Sequence, residues 1–115
     1  MPADVTFTEE IAIHSDTNLY RRLAAPDAPD WAALLADHLD RWFALFYPSS
    51  KQHDPLALTV ALELPFVELS RFPITVRADA RTSAERDGQP TWVATGADYP
   101  AFRRWLTAQL TDVGL

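Results

Sequence analysis

The hydrophobic pattern is clearest between residues 31 and 47, where apolar positions recur at the spacing of an α-helix. They form one broad stripe, which consists of Trp31, Leu34, Leu35, Leu39, Trp42, Phe43 and Phe46. Asp37 and Arg41 fall on the opposite side. The pattern predicts an amphipathic helix that begins after Asp30, a good N-cap residue, and ends before Pro48.

Three further segments have the pattern or the caps of helices. Residues 15–23 open on Ser15, a typical N-cap residue, and predict a short helix. Residues 55–64 are apolar almost all round and are stopped by Pro65, which predicts a helix buried on several sides. Asp98 caps a terminal helix whose apolar face consists of Phe102, Trp105, Leu106 and Leu110.

Three segments favour extended structure. Residues 5–14 are rich in β-branched side chains, and residues 66–79 read as a strand in which Pro73 indicates an edge position or a bulge. Residues 91–95 predict a second strand, antiparallel to the first. The fold class expected is α/β (α+β as an isolated piece), with about four helices and a small set of strands in one domain or subdomain spanning 1–115.

Composition narrows the possible partners. The 115 residues are 48% hydrophobic and carry a net charge of −6, so we expect a packed core and a surface that repels nucleic-acid phosphates. No apolar run reaches the length of a membrane span. The sequence does not begin with the basic segment and following apolar run of a secretory signal. There is no cysteine, which excludes disulfides and thiolate chemistry. A cytoplasmic protein that binds neither nucleic acid nor membrane is expected.

The histidines are the first candidates for chemistry. His14 and Asp16 could hold a metal ion, but two ligands are too few for a site. His38 lies within the long amphipathic helix and is more typical of a boundary position. His53 and Asp54 precede Pro55 at the start of the apolar helix, where Asp and Pro are also common for structural reasons alone.

His53 and Asp54 could also have a functional role, and this role would depend on the same position at the start of a helix. A helix N-terminus fixes the carboxylate, which suits a hard cation such as Ca²⁺. The neighbouring histidine can transfer a proton near neutral pH. From these residues alone, both interpretations remain open.

The stretch HDPLALTVAL (53–62) resembles the His-Asp-Pro-Leu-Ala segment near the C-terminal end of the inosine–uridine-preferring nucleoside hydrolases. The flanks agree in order: 4–23 looks like the family's strand and short helix, and 31–47 like its long helix before the motif. Residues 72–106 look like its closing strands and terminal helix. The resemblance covers nearly the whole chain, but only about the last third of a typical family member.

The resemblance implies a C-terminal portion of the nucleoside hydrolase fold, with His53 as general acid for the departing base and Asp54 as a ligand of an active-site Ca²⁺. The family's N-terminal aspartate cluster and the residues that hold the ribose are missing here. One aspartate cannot make a calcium site, so the chain alone should not hydrolyse nucleosides. A complementary N-terminal chain or self-association is expected to complete it and to cover the apolar helix.

Three functions follow as alternatives. The chain is a fragment or split subunit of a nucleoside hydrolase, or a catalytically inactive relative that serves as a binding or regulatory subunit. The third is an unrelated small interaction domain in which His53 and Asp54 only begin a helix.

Overall fold

The computed structural model of the protein describes residues 3–112, with side chains from Val5 onward. The helices are α1 (Ala3–Thr6), α2 (Asn18–Leu23), α3 (Asp30–Leu45), α4 (His53–Ala61) and α5 (Tyr99–Thr111), and a 3-10 turn spans Glu9–Ile11. The strands are β1 (Ala12–His14), β2 (Ser49–Lys51), β3 (Val67–Val76), β4 (Thr82–Ala84) and β5 (Gln89–Ala97). The predicted α/β class is confirmed, because helices are combined with antiparallel sheets. Among the described residues, no helix is both long and apolar enough to cross a bilayer.

A two-stranded antiparallel sheet joins β1 to β2, with Ile13 opposite Ser50. The extended start predicted for residues 5–14 is therefore correct only for its last three residues, because α1 and the 3-10 turn occupy most of the rest. The side chain of Thr8 accepts a hydrogen bond from the N–H of Glu10 and so opens the 3-10 turn. β2 was not predicted, since its serines and lysine give no strand pattern.

A three-stranded antiparallel sheet has the order β4-β3-β5. The predicted pairing of the two longer strands is confirmed, and Pro73 lies opposite Pro90. The bulge occurs between Glu68 and Leu69 and not at Pro73. Pro73 instead lies where the pairing with β4 ends, so its missing N–H costs the sheet no bond there.

Two clusters of buried residues share α5 as their common wall. The first consists of Ile13, Leu19, Leu23, Ala32 and Ala36. The second consists of Ile11, Leu56 and Phe102. Leu106 packs against both clusters, and the side chain of Asp98 caps α5 by accepting a bond of 3.1 Å from the N–H of Ala101. The predicted cap and apolar face of this helix are thus confirmed.

Helix α4 differs from its prediction at both ends. It begins at His53, two positions earlier than expected, and ends at Ala61. The early end has a backbone cause: Glu63 adopts a left-handed conformation (φ 57°), and the N–H of Leu64 bonds the carbonyl of Thr59 at 2.9 Å. This pattern is a Schellman motif, which terminates a helix before the downstream proline can do so.

The chain leaves much of its apolar surface exposed. Its principal extents are 57 × 30 × 19 Å, and the Cα radius of gyration of 17.1 Å compares with about 13 Å for a compact domain of this length. The apolar stripe of α3 is only partly covered, and α4 is not buried on several sides as predicted. The exposed apolar side chains of these two helices are Leu34, Leu35, Trp42, Leu45, Leu58 and, just beyond them, Phe46 and Leu62.

Candidate functional site

A cleft of about 810 Å³ opens at the N-terminus of α4. We call it the aromatic cleft. Its lining residues are Phe7, Trp42, Tyr47, Ser49, Ser50, Lys51, Gln52, His53, Asp54 and Pro55. Its volume lies in the range typical of small-molecule sites, which combine apolar walls with a few polar groups. Both residues singled out by the sequence motif, His53 and Asp54, therefore lie in its wall.

The pairing of β1 with β2 builds the cleft from distant parts of the chain. The N–H of Gln52 continues this pairing by donating to the carbonyl of Ile11 at 3.0 Å. The indole Nε1–H of Trp42 donates to the carbonyl of Ser49 at 2.8 Å and fixes the end of α3 against β2. These bonds position the segment that leads directly into His53.

Lys51 is the main electrostatic feature of the cleft. Its side chain is only 13% exposed, and its Nζ lies 3.0 Å from Oε1 of Glu9. The ammonium also lies 4.6 Å from the ring centroid of Phe7 and 4.8 Å from that of Tyr47, within cation–π range of both. The hydrogen bond from Lys51, together with one from Ser49, lowers the pKa of Glu9 below its ordinary value.

His53 and Asp54 occupy the first turn of α4 and reach outward. Their side chains are 59% and 97% exposed, and His53 Nε2 lies 4.0 Å from Asp54 Oδ1. Gln52 holds the cap position and makes no side-chain capping bond, and Asp54 makes none to its own helix among the described residues. The carboxylate is thus not consumed as a cap, although it stabilises the positive end of the helix dipole.

The residues present do not fit a calcium site by themselves. Ca²⁺ takes about six to eight oxygen ligands. Within residues 3–112, no group of three or more His, Cys, Asp or Glu side chains converges as a metal site. Asp54 is the one carboxylate in the wall of the aromatic cleft. Any cation bound here would need most of its ligands from outside this chain.

The other candidate histidines lie elsewhere. The Nδ1 of His14 hydrogen bonds Oδ1 of Asp16 at the end of β1, beside a shallow depression that also contains Glu9. His38 is exposed on α3. Neither lines the aromatic cleft, so His53 is the one of these three histidines that lies in its wall.

Phe7, Tyr47 and Lys51 were not identified from the sequence. Lys51 lies two positions before His53, and this proximity was the one sequence feature that could have placed it near the candidate site. Glu9 gave no signal of its contact with Lys51, because the β1–β2 pairing brings together residues about forty positions apart, such as Glu9 and Ser49.

Comparison of the chain with models of protein families, with characterised proteins and with solved structures finds no significant match. The functional interpretation therefore rests on the residues of the site and on the motif resemblance.

Proposed function

We propose that this chain is the C-terminal part of a nucleoside N-ribohydrolase, a fragment or split subunit that needs a second chain to complete its active site. The observation that carries the proposal is the shared cavity: His53 and Asp54 open onto the same cleft as Phe7, Trp42 and Tyr47. A cytoplasmic location, which the cysteine-free composition favours, belongs to the proposal.

The aromatic walls suit the base of a nucleoside. Aromatic side chains stack on planar rings and contribute about 1–3 kcal/mol per stacked base. Trp42 already stacks on Phe46, with ring centroids 5.0 Å apart, so its ring is held in place before any ligand arrives. Tyr47 and Phe7 are oriented in turn by the ammonium of Lys51. The base is proposed to bind among these rings.

His53 is proposed to protonate the departing base. Hydrolysis breaks the bond between the anomeric carbon and a ring nitrogen, and the bonding electrons leave with the base. A proton donated by the His53 imidazolium to the base keeps this leaving group neutral, and water adds to the anomeric carbon and loses a proton. Proton transfer of this kind contributes about 10²–10⁴-fold to the rate. The products are ribose and the free base.

A second chain is required for two independent reasons. Among the described residues, Asp54 is the one carboxylate that lines the aromatic cleft and no metal-binding group converges there, so the carboxylates that would activate the water and bind a cation must come from elsewhere. The exposed apolar side chains of α3 and α4, such as Leu58 and Phe46, also need a covering surface. One partner that carries the aspartate-rich half of the fold would meet both needs.

Reconstitution tests the proposal. The chain is mixed with a separately produced, aspartate-rich N-terminal portion of a nucleoside hydrolase in buffer that contains Ca²⁺. Release of free base from inosine and uridine is followed by absorbance. We expect release from the mixture and from neither part alone. A mixture that forms a stable complex but releases no base would overturn the proposal.

A non-enzymatic binding or regulatory subunit is the second candidate. Two observations favour it: Asp54 is almost fully exposed, and the described residues supply no further ligands around it. It predicts that the same complex forms without base release, and that Asp54→Asn has no consequence. The two candidates therefore give opposite results in one experiment.

A further inference from the structure

The outer edge of β2 lies at the aromatic cleft. β1 and β2 form a sheet of their own, so within residues 3–112 no strand pairs with the other side of β2. Lys51 is the last residue of β2 and lines the cleft together with its neighbours Ser50 and Gln52. The hydrogen bonds of the surrounding residues fix which backbone groups lie on this edge.

Two of these bonds show that the N–H and C=O of Lys51 point away from β1. In antiparallel strands, pairs that exchange two hydrogen bonds alternate with pairs that exchange none. Gln52 donates its N–H to the carbonyl of Ile11 at 3.0 Å, so the adjacent pair, Lys51–Ala12, is a non-bonded one. Accordingly, the N–H of Ala12 bonds the carbonyl of Glu9 instead. Both backbone groups of Lys51 consequently lie on the open edge of β2.

Ser49 shows the same alternation at the other end of β2. Its partner His14 uses both backbone groups on Thr17: the carbonyl accepts from the Thr17 N–H, and the N–H donates to the Thr17 hydroxyl, each at 3.0 Å. The pair Ser49–His14 is thus non-bonded as well, and the Ser49 carbonyl accepts the indole N–H of Trp42 on the open edge. The indole therefore lies beside the same edge as the backbone of Lys51.

Lys51 is left with one backbone donor and one backbone acceptor that have no hydrogen-bond partner among the described residues. Backbone groups of this kind need a partner, which is either water or a ligand. In an extended residue the two groups point to the same side of the strand. A nucleobase presents the complementary pattern, because an N–H lies beside an acceptor atom on its edge. The edge at Lys51 can therefore form two hydrogen bonds with one planar ring.

A planar ring fits this edge better than a peptide strand does. β2 spans only Ser49–Lys51, and the Ser49 carbonyl already accepts from Trp42. One residue with both groups free is too little for strand pairing, which uses every second residue of the edge. Phe7, Trp42 and Tyr47 also line the cleft and provide the flat apolar surfaces on which a ring stacks. A heterocycle with a polar edge is therefore the favoured occupant.

We propose that the backbone of Lys51 binds the edge of the base in the aromatic cleft: its C=O accepts from an N–H of the base, and its N–H donates to the neighbouring acceptor atom. The ligand class is a nucleobase that is unsubstituted at the donor nitrogen, and a base methylated there is rejected. The inference rests on the proposed function, because that function places a base in the cleft. It adds that the ligand is selected by main-chain groups.

Nuclear magnetic resonance of the isotope-labelled free chain tests the proposal, with uridine as the probe. Uridine carries an N–H between two carbonyls, and 3-methyluridine lacks that N–H. Uridine is expected to shift the amide resonance of Lys51, and 3-methyluridine to bind about three- to tenfold more weakly, which corresponds to one hydrogen bond. Equal affinity for the two nucleosides, or a Lys51 amide that does not respond to uridine, would overturn the proposal.

Lys51→Pro removes the backbone donor itself. Proline is tolerated in an edge strand where the missing N–H faces outward, so this variant loses no bond of the β1–β2 sheet. Lys51→Ala is the matched control, because it removes the same side chain and keeps the N–H. Lys51→Pro is expected to bind uridine about three- to tenfold more weakly than Lys51→Ala, and equal affinities would contradict the proposal. The comparison of nucleosides uses the wild type and stays valid if Lys51→Pro misfolds.

The binding measurements need neither the partner chain nor Ca²⁺, so failure of this inference is distinguishable from failure of the proposed function. If the chain binds uridine as described but the reconstituted mixture releases no base, the inference stands and the hydrolase function does not. If the mixture releases base from uridine and 3-methyluridine at equal rates, the hydrolase function stands and the inference is overturned.

Discussion

The ammonium group of Lys51, which lines the aromatic cleft, lies 3.0 Å from the carboxylate of Glu9, which lines the depression beside His14. Glu9 belongs to the 3-10 turn that precedes β1, and Lys51 ends β2. The ion pair therefore connects the segment before the first strand to the segment that leads into His53. Because the Lys51 side chain is mostly buried, the pair is expected to matter more than a fully exposed one.

The Glu9–Lys51 pair predicts an acid-sensitive contribution to stability. The hydrogen bond from Lys51 lowers the pKa of Glu9, so its contribution is present above the ordinary value of 4.5 and is lost as the pH falls through the lower folded value. Glu9→Gln should lower the melting temperature at pH 7, with the difference shrinking below about pH 4. Thermal melts at both pH values measure this. Glu10→Gln is the control, and a difference independent of pH would contradict the assignment.

The Trp42–Ser49 bond predicts a measurable loss of stability on removal of one donor. Trp42→Phe keeps an aromatic ring against Phe46 but leaves the Ser49 carbonyl without the indole N–H. The expected cost is about 1 kcal/mol. Urea denaturation compares this variant with Tyr47→Phe, whose lost hydroxyl makes no bond among the described residues and which should unfold like the wild type. Equal midpoints for both variants would show that the bond contributes nothing.

Two leucines of α4 are expected to have different roles, one in the stability of the free chain and the other in binding of a partner. Leu56 is fully buried, whereas Leu58 is 51% exposed. Leu56→Ala should destabilise the free chain by about 2–5 kcal/mol, and Leu58→Ala by much less. Leu58→Asp should leave the free chain folded but weaken binding of the N-terminal part, as measured by calorimetry. Unchanged binding would place the partner on another surface.

Substitution of Asp54 is expected to change Ca²⁺ binding without changing the stability of the chain. Its side chain is 97% exposed and makes no capping bond, so Asp54→Asn should change the free energy of unfolding by no more than about 0.5 kcal/mol. In the reconstituted mixture, the same change should raise the Ca²⁺ concentration required for base release. A denaturation curve and a Ca²⁺ titration give both values. An unchanged Ca²⁺ requirement would remove Asp54 from the metal site.

The sequence predicted those elements whose signals are local. The Asp98 cap and the apolar face of α5 needed only the spacing of nearby residues, and the β3–β5 pair needed only two strand patterns joined by a turn. The aromatic cleft was not predictable in the same way, because Phe7 reaches it through the pairing of two three-residue strands.

Periodicity also failed to predict which apolar side chains would be covered. It correctly placed Leu35 and Phe46 on one stripe of α3, but the stripe does not specify what packs against it. In the chain by itself, Ala32 and Ala36 are buried and Trp31, Leu39 and Phe43 pack partly buried against them, whereas the other large side chains of the stripe remain exposed. The Schellman end of α4 was missed for another reason, since Glu63 is not a residue that normally indicates a left-handed turn.

The most direct test of the central claim compares two histidine variants in the reconstituted mixture. His53→Ala removes the proposed proton donor from the aromatic cleft, and His38→Ala removes an exposed histidine of α3 as a matched control. Initial rates of base release are measured at saturating partner chain. The proposal predicts a loss of about 10²–10⁴-fold for His53→Ala and a rate close to wild type for His38→Ala. Equal rates for the two variants would contradict it.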